Sequence, residues 1–212
     1  MEWPVAQDDI FSQLAWLEPD QNPFGLRVLD CRPFSTTMRS ATKDPSIAAH
    51  FSQLRSASGE EHRGRHPEDA VVARCDLAYP FSGESRDGPL FVAQQMEDKW
   101  DIYLYDGHLY FARSWTGELV FRAAIEFREG EALVTSVEAS RAKVRDDLDL
   151  AVRMVDFLVK THLYRQEAPH PLPQDYPDDK KALALYSFSE YGRWAFYGSF
   201  EDTTQVRVPG GN

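Results

Sequence analysis

Between Lys99 and Arg141 the chain alternates apolar and polar residues with a period of two, broken at short turns. Trp100, Ile102 and Leu104 fall on one side of the first run, and Asp101, Tyr103 and Tyr105 on the other. That period is the mark of a strand. Asp106-Gly107 follows, a pair suited to the two left-handed positions of a tight hairpin turn. His108 to Trp115 is the return strand, with Leu109, Phe111, Arg113 and Trp115 on one face. Thr116-Gly117 turns the chain again into Glu118 to Phe127, where Leu119, Phe121, Ala123, Ile125 and Phe127 are in phase. After Glu129-Gly130, Leu133, Thr135 and Val137 mark a fourth strand, with Ala132 and Val134 on its other side.

Helical spacing occurs elsewhere. Asp8 to Leu17 places Ile10, Phe11, Leu14 and Leu17 on one stripe. Asp44-Pro45 predicts a helix start, and Ile47, Ala48, Phe51 and Leu54 give its apolar face. Val144 to Tyr164 carries the longest stripe, with acids near its start where they suit the helix dipole. Asp178 to Tyr191 predicts a last helix. Leu26 to Phe34, Val71 to Tyr79 and Leu90 to Met96 read as further strands. Strands grouped apart from helices predict an α+β fold: an antiparallel β-meander of four or more strands with helices packed on one face. Residues 1–205 are expected to form a single domain, with a mobile loop at 56–70, a proline-rich connector at 167–177, and a tail at 206–212.

The aromatic residues divide by face. Trp100, Phe111, Phe121 and Phe127 predict a core. Tyr103, Tyr105 and Tyr110, with Asp101 and Arg122, form the opposite face, which is expected either to bind a partner or to lie under helices. Tyrosine suits a contact surface because it combines area with a hydroxyl.

Charge narrows the partners. The 212 residues carry 23 basic and 34 acidic side chains, a net charge of −11. A negative field repels phosphate, so no nucleic-acid partner is expected, whereas the charge suits a basic protein partner or simply solubility. The opening MEWPVAQDD is acidic and lacks an apolar run, and no stretch approaches the ~18 apolar residues of a membrane span. No membrane association is expected, and the two cysteines, Cys31 and Cys75, suit a reducing, cytoplasmic setting.

Catalytic signatures are hard to find. Gly83-Glu84-Ser85-Arg86-Asp87 lacks the second glycine of a nucleophile elbow, and Cys31 lacks the arginine six residues on that a phosphate loop needs. No glycine-rich nucleotide signature occurs. His62 and His66, among Glu60, Glu61, Glu68 and Asp69, are the remaining candidates for metal chemistry, although Gly64 and Pro67 mark the stretch as a loop. Solvated loop residues with no metal and no cofactor are the expectation there. Three readings follow. The leading one is an acidic protein-binding module, inhibitor or immunity-like, using the tyrosine face. The others are a metal-dependent hydrolase built on His62 and His66, and a small-ligand or structural accessory protein using the aromatic segment Tyr191 to Phe200.

Overall fold

A computed structural model describes residues 8–206. In chain order its elements are α1 (Asp8–Ser12), β1 (Ala15–Leu17), β2 (Val28–Asp30), α2 (Arg32–Ser35), α3 (Pro45–Leu54), β3 (Ala70–Pro80), β4 (Gly88–Phe91), β5 (Trp100–Tyr105), β6 (His108–Arg113), β7 (Leu119–Arg128), β8 (Glu131–Ser140), α4 (Arg141–Val144), α5 (Leu148–Leu158), β9 (His170–Pro171), α6 (Lys180–Tyr191) and β10 (Tyr197–Ser199). The fold is α+β. The described residues gather into two compact units: one holds Ala41–Asp156, the other the described residues up to Ser40 and from Phe157 onward.

The central unit is built on a six-stranded antiparallel sheet in the order β3-β8-β7-β6-β5-β4. The expected meander is its middle. Asp106 and Gly107 both take positive φ at the first hairpin, as the Asp-Gly pair requires. Ile102 pairs with Phe111, and Phe111 with Phe121, so the aromatic row crosses three strands. Trp100, Phe111 and Phe121 are fully buried.

Two bulges alter the faces that strict alternation predicts. A register shift between Phe111 and Ala112 sets Leu119 opposite Ala112, where it joins the tyrosine side rather than the Phe121 side. A second shift between Ala124 and Ile125 sets Val134 opposite Ile125 while Val137 stays opposite Ala123. Val134 and Val137 are therefore both fully buried, although alternation places them on opposite sides.

α3 begins where Asp44-Pro45 predicts. Asp44 Oδ1 accepts from the Ser46 N–H at 2.8 Å, and Pro45 fills a position that needs no donor. Ile47, expected on the apolar face, is exposed, while Phe51 is buried. The long helix starts later than expected. Arg145 and Asp146 both adopt left-handed φ, which ends α4, and Asp147 Oδ1 then caps Leu150 N–H at 2.9 Å to open α5.

The other unit contains a sheet that local patterning does not reveal, in the order β1-β2-β10-β9. β9 runs parallel to β10, and the other pairs are antiparallel. The expected helix Asp8 to Leu17 is cut to α1, and Ala15–Leu17 pairs with β2 instead. The expected strand Leu26 to Phe34 is cut to β2, because the chain turns into α2 with Pro33 in its first turn. Leu90 to Met96 contributes only its first two residues, to β4. The proline-rich stretch 167–177 supplies β9, is buried from Ala168 through Pro173, and then turns, with Tyr176 N–H bonded to Pro173 O at 3.1 Å. α6 is capped by Asp179, which accepts from the Ala182 N–H at 2.7 Å. Among the described residues no helix is long and apolar enough to cross a membrane. The tail expected at 206–212 lies outside the described residues from 207 on, as does MEWPVAQ at the start.

Candidate functional site

The tyrosine face of the sheet is where the expected site residues meet. Asp101, Tyr103 and Tyr105 come from β5, Tyr110 from β6 and Arg122 from β7, with Tyr103 opposite Tyr110 and Tyr110 opposite Arg122. The register thus assembles the predicted set. The face is not open, however: Tyr103 and Tyr110 are each 1% exposed and Tyr105 7%. Over the tyrosines its cover is the stretch expected as a free loop, residues 58–66, and α3 packs on the same side, tied to Asp101 through Arg55. Tyr105 Oη donates to Ser58 O at 2.9 Å, and Gly64 N–H donates to Tyr110 Oη at 2.9 Å. Between these two bonds a 3₁₀ turn at Glu60–His62 lays the His62 ring 5.6 Å from the Tyr103 ring. Gly59, in the left-handed region at φ +78°, lies against Tyr103 so closely that any β-carbon would overlap the ring. A polar segment can cover an aromatic face because its backbone donors and acceptors satisfy the phenol hydroxyls.

The segment is fastened at its far end by charge. Arg63 makes a two-pronged pair with Asp106 at the hairpin tip, at 2.7 and 2.6 Å, and its guanidinium carbon is 5.8 Å from the centre of the Tyr105 ring. That hydrogen-bonded pairing holds the Asp106 carboxyl below its usual range. His66 Nδ1 is 2.5 Å from Glu138 Oε2, and Arg122 Nη1 donates to Glu138 Oε1 at 2.6 Å. Asp101 is 1% exposed and bound to Arg55, which follows α3. The role of Asp101 in this structure is to hold α3 and the sheet together.

The two histidines have separate surroundings. Burial against Tyr103 lowers the basicity of His62, whereas His66 is largely exposed on Glu138. Among the described residues no three His, Cys, Asp or Glu side chains are grouped to hold a metal ion. Ser85 is exposed in the turn before β4. Burial pushes the Cys31 thiol up to about 12 and the Cys75 thiol up to about 11, so neither is a thiolate at neutral pH.

The second unit brings together residues far apart in sequence. His170 Nε2 is 2.7 Å from Ser187 Oγ, and Cys31 bonds to the same serine. All three are sealed, at 1% exposure or less. A Ser–His pair of this spacing is half of a hydrolytic triad, but His170 Nδ1 has no hydrogen-bond partner, so no carboxylate orients the ring. No sequence pattern joins these positions. Of the aromatic segment Tyr191 to Phe200, Trp194 and Phe196 line a half-open cleft of about 220 Å³.

No protein-family model, curated protein or solved structure matches the chain.

Proposed function

We propose that the protein is an acidic binding module for a basic protein segment, with the tyrosine face as its seat. What supports this reading above all is the way the chain treats its own basic stretch. His62-Arg63-Gly64-Arg65-His66 lies over Tyr103, Tyr105 and Tyr110, with Arg63 on Asp106 and His66 on Glu138. The face therefore has the chemistry to receive an arginine- and histidine-containing segment: phenol rings for the flat cations and carboxylates at the rim. A net charge of −11 steers such a partner toward the molecule. Segment 58–66 contributes no large apolar side chain of its own, so the burial lost on lifting it is chiefly that of the tyrosine rings beneath, which an incoming segment would cover again. An external segment of like chemistry would take its place. Neutralising a basic enzyme, as an inhibitor or immunity-like protein does, is the role this reading implies.

The test is fluorescence anisotropy with a labelled arginine-rich peptide and three proteins: wild type, Arg63→Ala/His66→Ala, and Asp106→Asn/Glu138→Gln. The first double variant unfastens the segment and is expected to bind the peptide several-fold more tightly than wild type. The second removes the rim acids and is expected to bind more weakly. Binding in all cases should weaken with added salt. No binding at low salt by wild type or by the unfastened variant overturns the reading.

A further inference from the structure

The cleft of the unit formed by the two ends of the chain is a separate feature, and its walls can be traced to backbone chemistry. α5 ends in a π-helical turn, Val159–Leu163, in which Tyr164 N–H bonds to Val159 O at 3.2 Å. Gln166 N–H then bonds back to Lys160 O at 2.9 Å, and Arg165 between them takes φ +57°. Single π turns and left-handed non-glycine residues each carry a local cost and gather at functional sites. Here they bring Arg165, Gln166 and Glu167 to the lining of the cleft before the chain is buried at Ala168. Trp194, which ends a 3₁₀ turn, and Phe196 line it as well.

Three chemistries face one space. Phe196 and the part of the Trp194 ring left between His162, Arg165 and Arg193 offer apolar surface. Arg165 supplies a cation at the rim, its guanidinium carbon 5.4 Å from the Trp194 ring centre. Glu167, two residues on, supplies an anion. The volume of about 220 Å³ lies below the roughly 300–1,000 Å³ of sites for drug-sized ligands. The occupant is therefore small, and it needs both charges and an apolar body.

We propose that this cleft binds a free amino acid with an aromatic or branched side chain. Its carboxylate would pair with Arg165, its ammonium with Glu167, and its side chain would lie on Trp194 and Phe196. Guanidinium–carboxylate pairing favours Arg165 for the first contact, since two parallel N–H bonds match the two oxygens.

Calorimetric titration of the full chain tests this with L-phenylalanine, L-leucine, phenylacetate and phenethylamine. The two amino acids are expected to saturate one site, and phenylacetate and phenethylamine, each missing one charge, to bind about tenfold more weakly or worse. Glu167→Gln should erase the preference of the site for L-phenylalanine over phenylacetate. Arg165→Ala should erase its preference over phenethylamine. Both side chains are exposed, so these variants keep the fold even where Trp194→Ala does not. Absence of binding at millimolar amino acid, equal binding of the four probes, or binding unchanged in both charge variants overturns the proposal.

Discussion

Arg55 and Asp101 form a two-pronged ion pair on the tyrosine side of the sheet, with Nη1–Oδ1 and Nη2–Oδ2 both at 2.9 Å. Each partner has further bonds. Arg55 also donates to the carbonyls of Phe51, Ala93 and Ser114, and Asp101 accepts from the Ala93 N–H at 2.7 Å. The Asp101 side chain is 2% exposed and that of Arg55 20%. Removing Arg55 leaves a buried carboxylate with one backbone donor, which is the costly way to break such a pair. Arg55→Ala is expected to lower stability by about 3–5 kcal/mol, read as a shift of the urea midpoint. Arg86→Ala, which breaks a pair whose side chains are 85% and 81% exposed, should leave the midpoint in place.

Gly59 and Tyr103 should show strong coupling. A β-carbon at Gly59 overlaps the Tyr103 ring, and φ +78° adds backbone strain. Gly59→Ala is expected to cost about 2–4 kcal/mol, combining overpacking with left-handed strain. In a Tyr103→Ala background the overlap is gone, and the same change should cost only about 1–2 kcal/mol. Denaturation of the four proteins in this double-mutant cycle gives the coupling. A cycle with no coupling would mean that segment 58–66 does not rest on Tyr103.

Acid should destabilise the unit that contains His170. Complete burial lowers this imidazole from its ordinary 6.5 to about 3. As pH falls through about 6.5 the unfolded chain takes up a proton that the folded chain refuses until about 3. The stabilisation conferred by a neutral His170 is thus complete above that window and is lost progressively within it. The slope approaches about 1.4 kcal/mol per pH unit for one such proton. His170→Gln should lack this component, so the difference between wild type and variant unfolding energies should vary with pH between 6.5 and 4 and be flat above 7.

Lys99 should act at the alkaline end. Burial, with Arg113 nearby, lowers its ammonium to about 8, and its Nζ donates to Met96 O at 3.0 Å beside the Trp115 ring. Between about 8 and the ordinary 10.5 the unfolded chain holds the proton that the folded chain has released. Wild-type stability should therefore rise with pH across that window relative to Lys99→Met. Thermal unfolding of both proteins at pH 7.5, 9 and 10 checks the sign.

The meander was legible because alternation and turn chemistry are local. Trp100, Ile102 and Leu104 share a face through the pleat alone, and Asp106-Gly107 suits one kind of turn. The start of α3 was legible for the same reason, since Asp44 needs to reach only two residues on. The start of the long helix was not legible, because its apolar stripe continues through Arg145 and Asp146, whose left-handed backbone nothing in the stripe announces.

The sequence by itself determined the faces of the unbulged strand runs, and so it placed Asp101, Tyr103, Tyr105, Tyr110 and Arg122 together. The tertiary structure decided what lies on that face. Covering it required Ser58 and Gly64, about fifty residues away in sequence, to meet the hydroxyls of Tyr105 and Tyr110. It also required bulges that move Leu119 and Val134 across the sheet. The second sheet is likewise a product of long-range pairing, in which Gly198 lies opposite Leu29 on one side and His170 on the other. Local periodicity fixes the direction of a side chain relative to its own backbone. Partner, cover and burial depend on closing long loops, whose cost is met only when distant hydrogen bonds and packed surfaces form together.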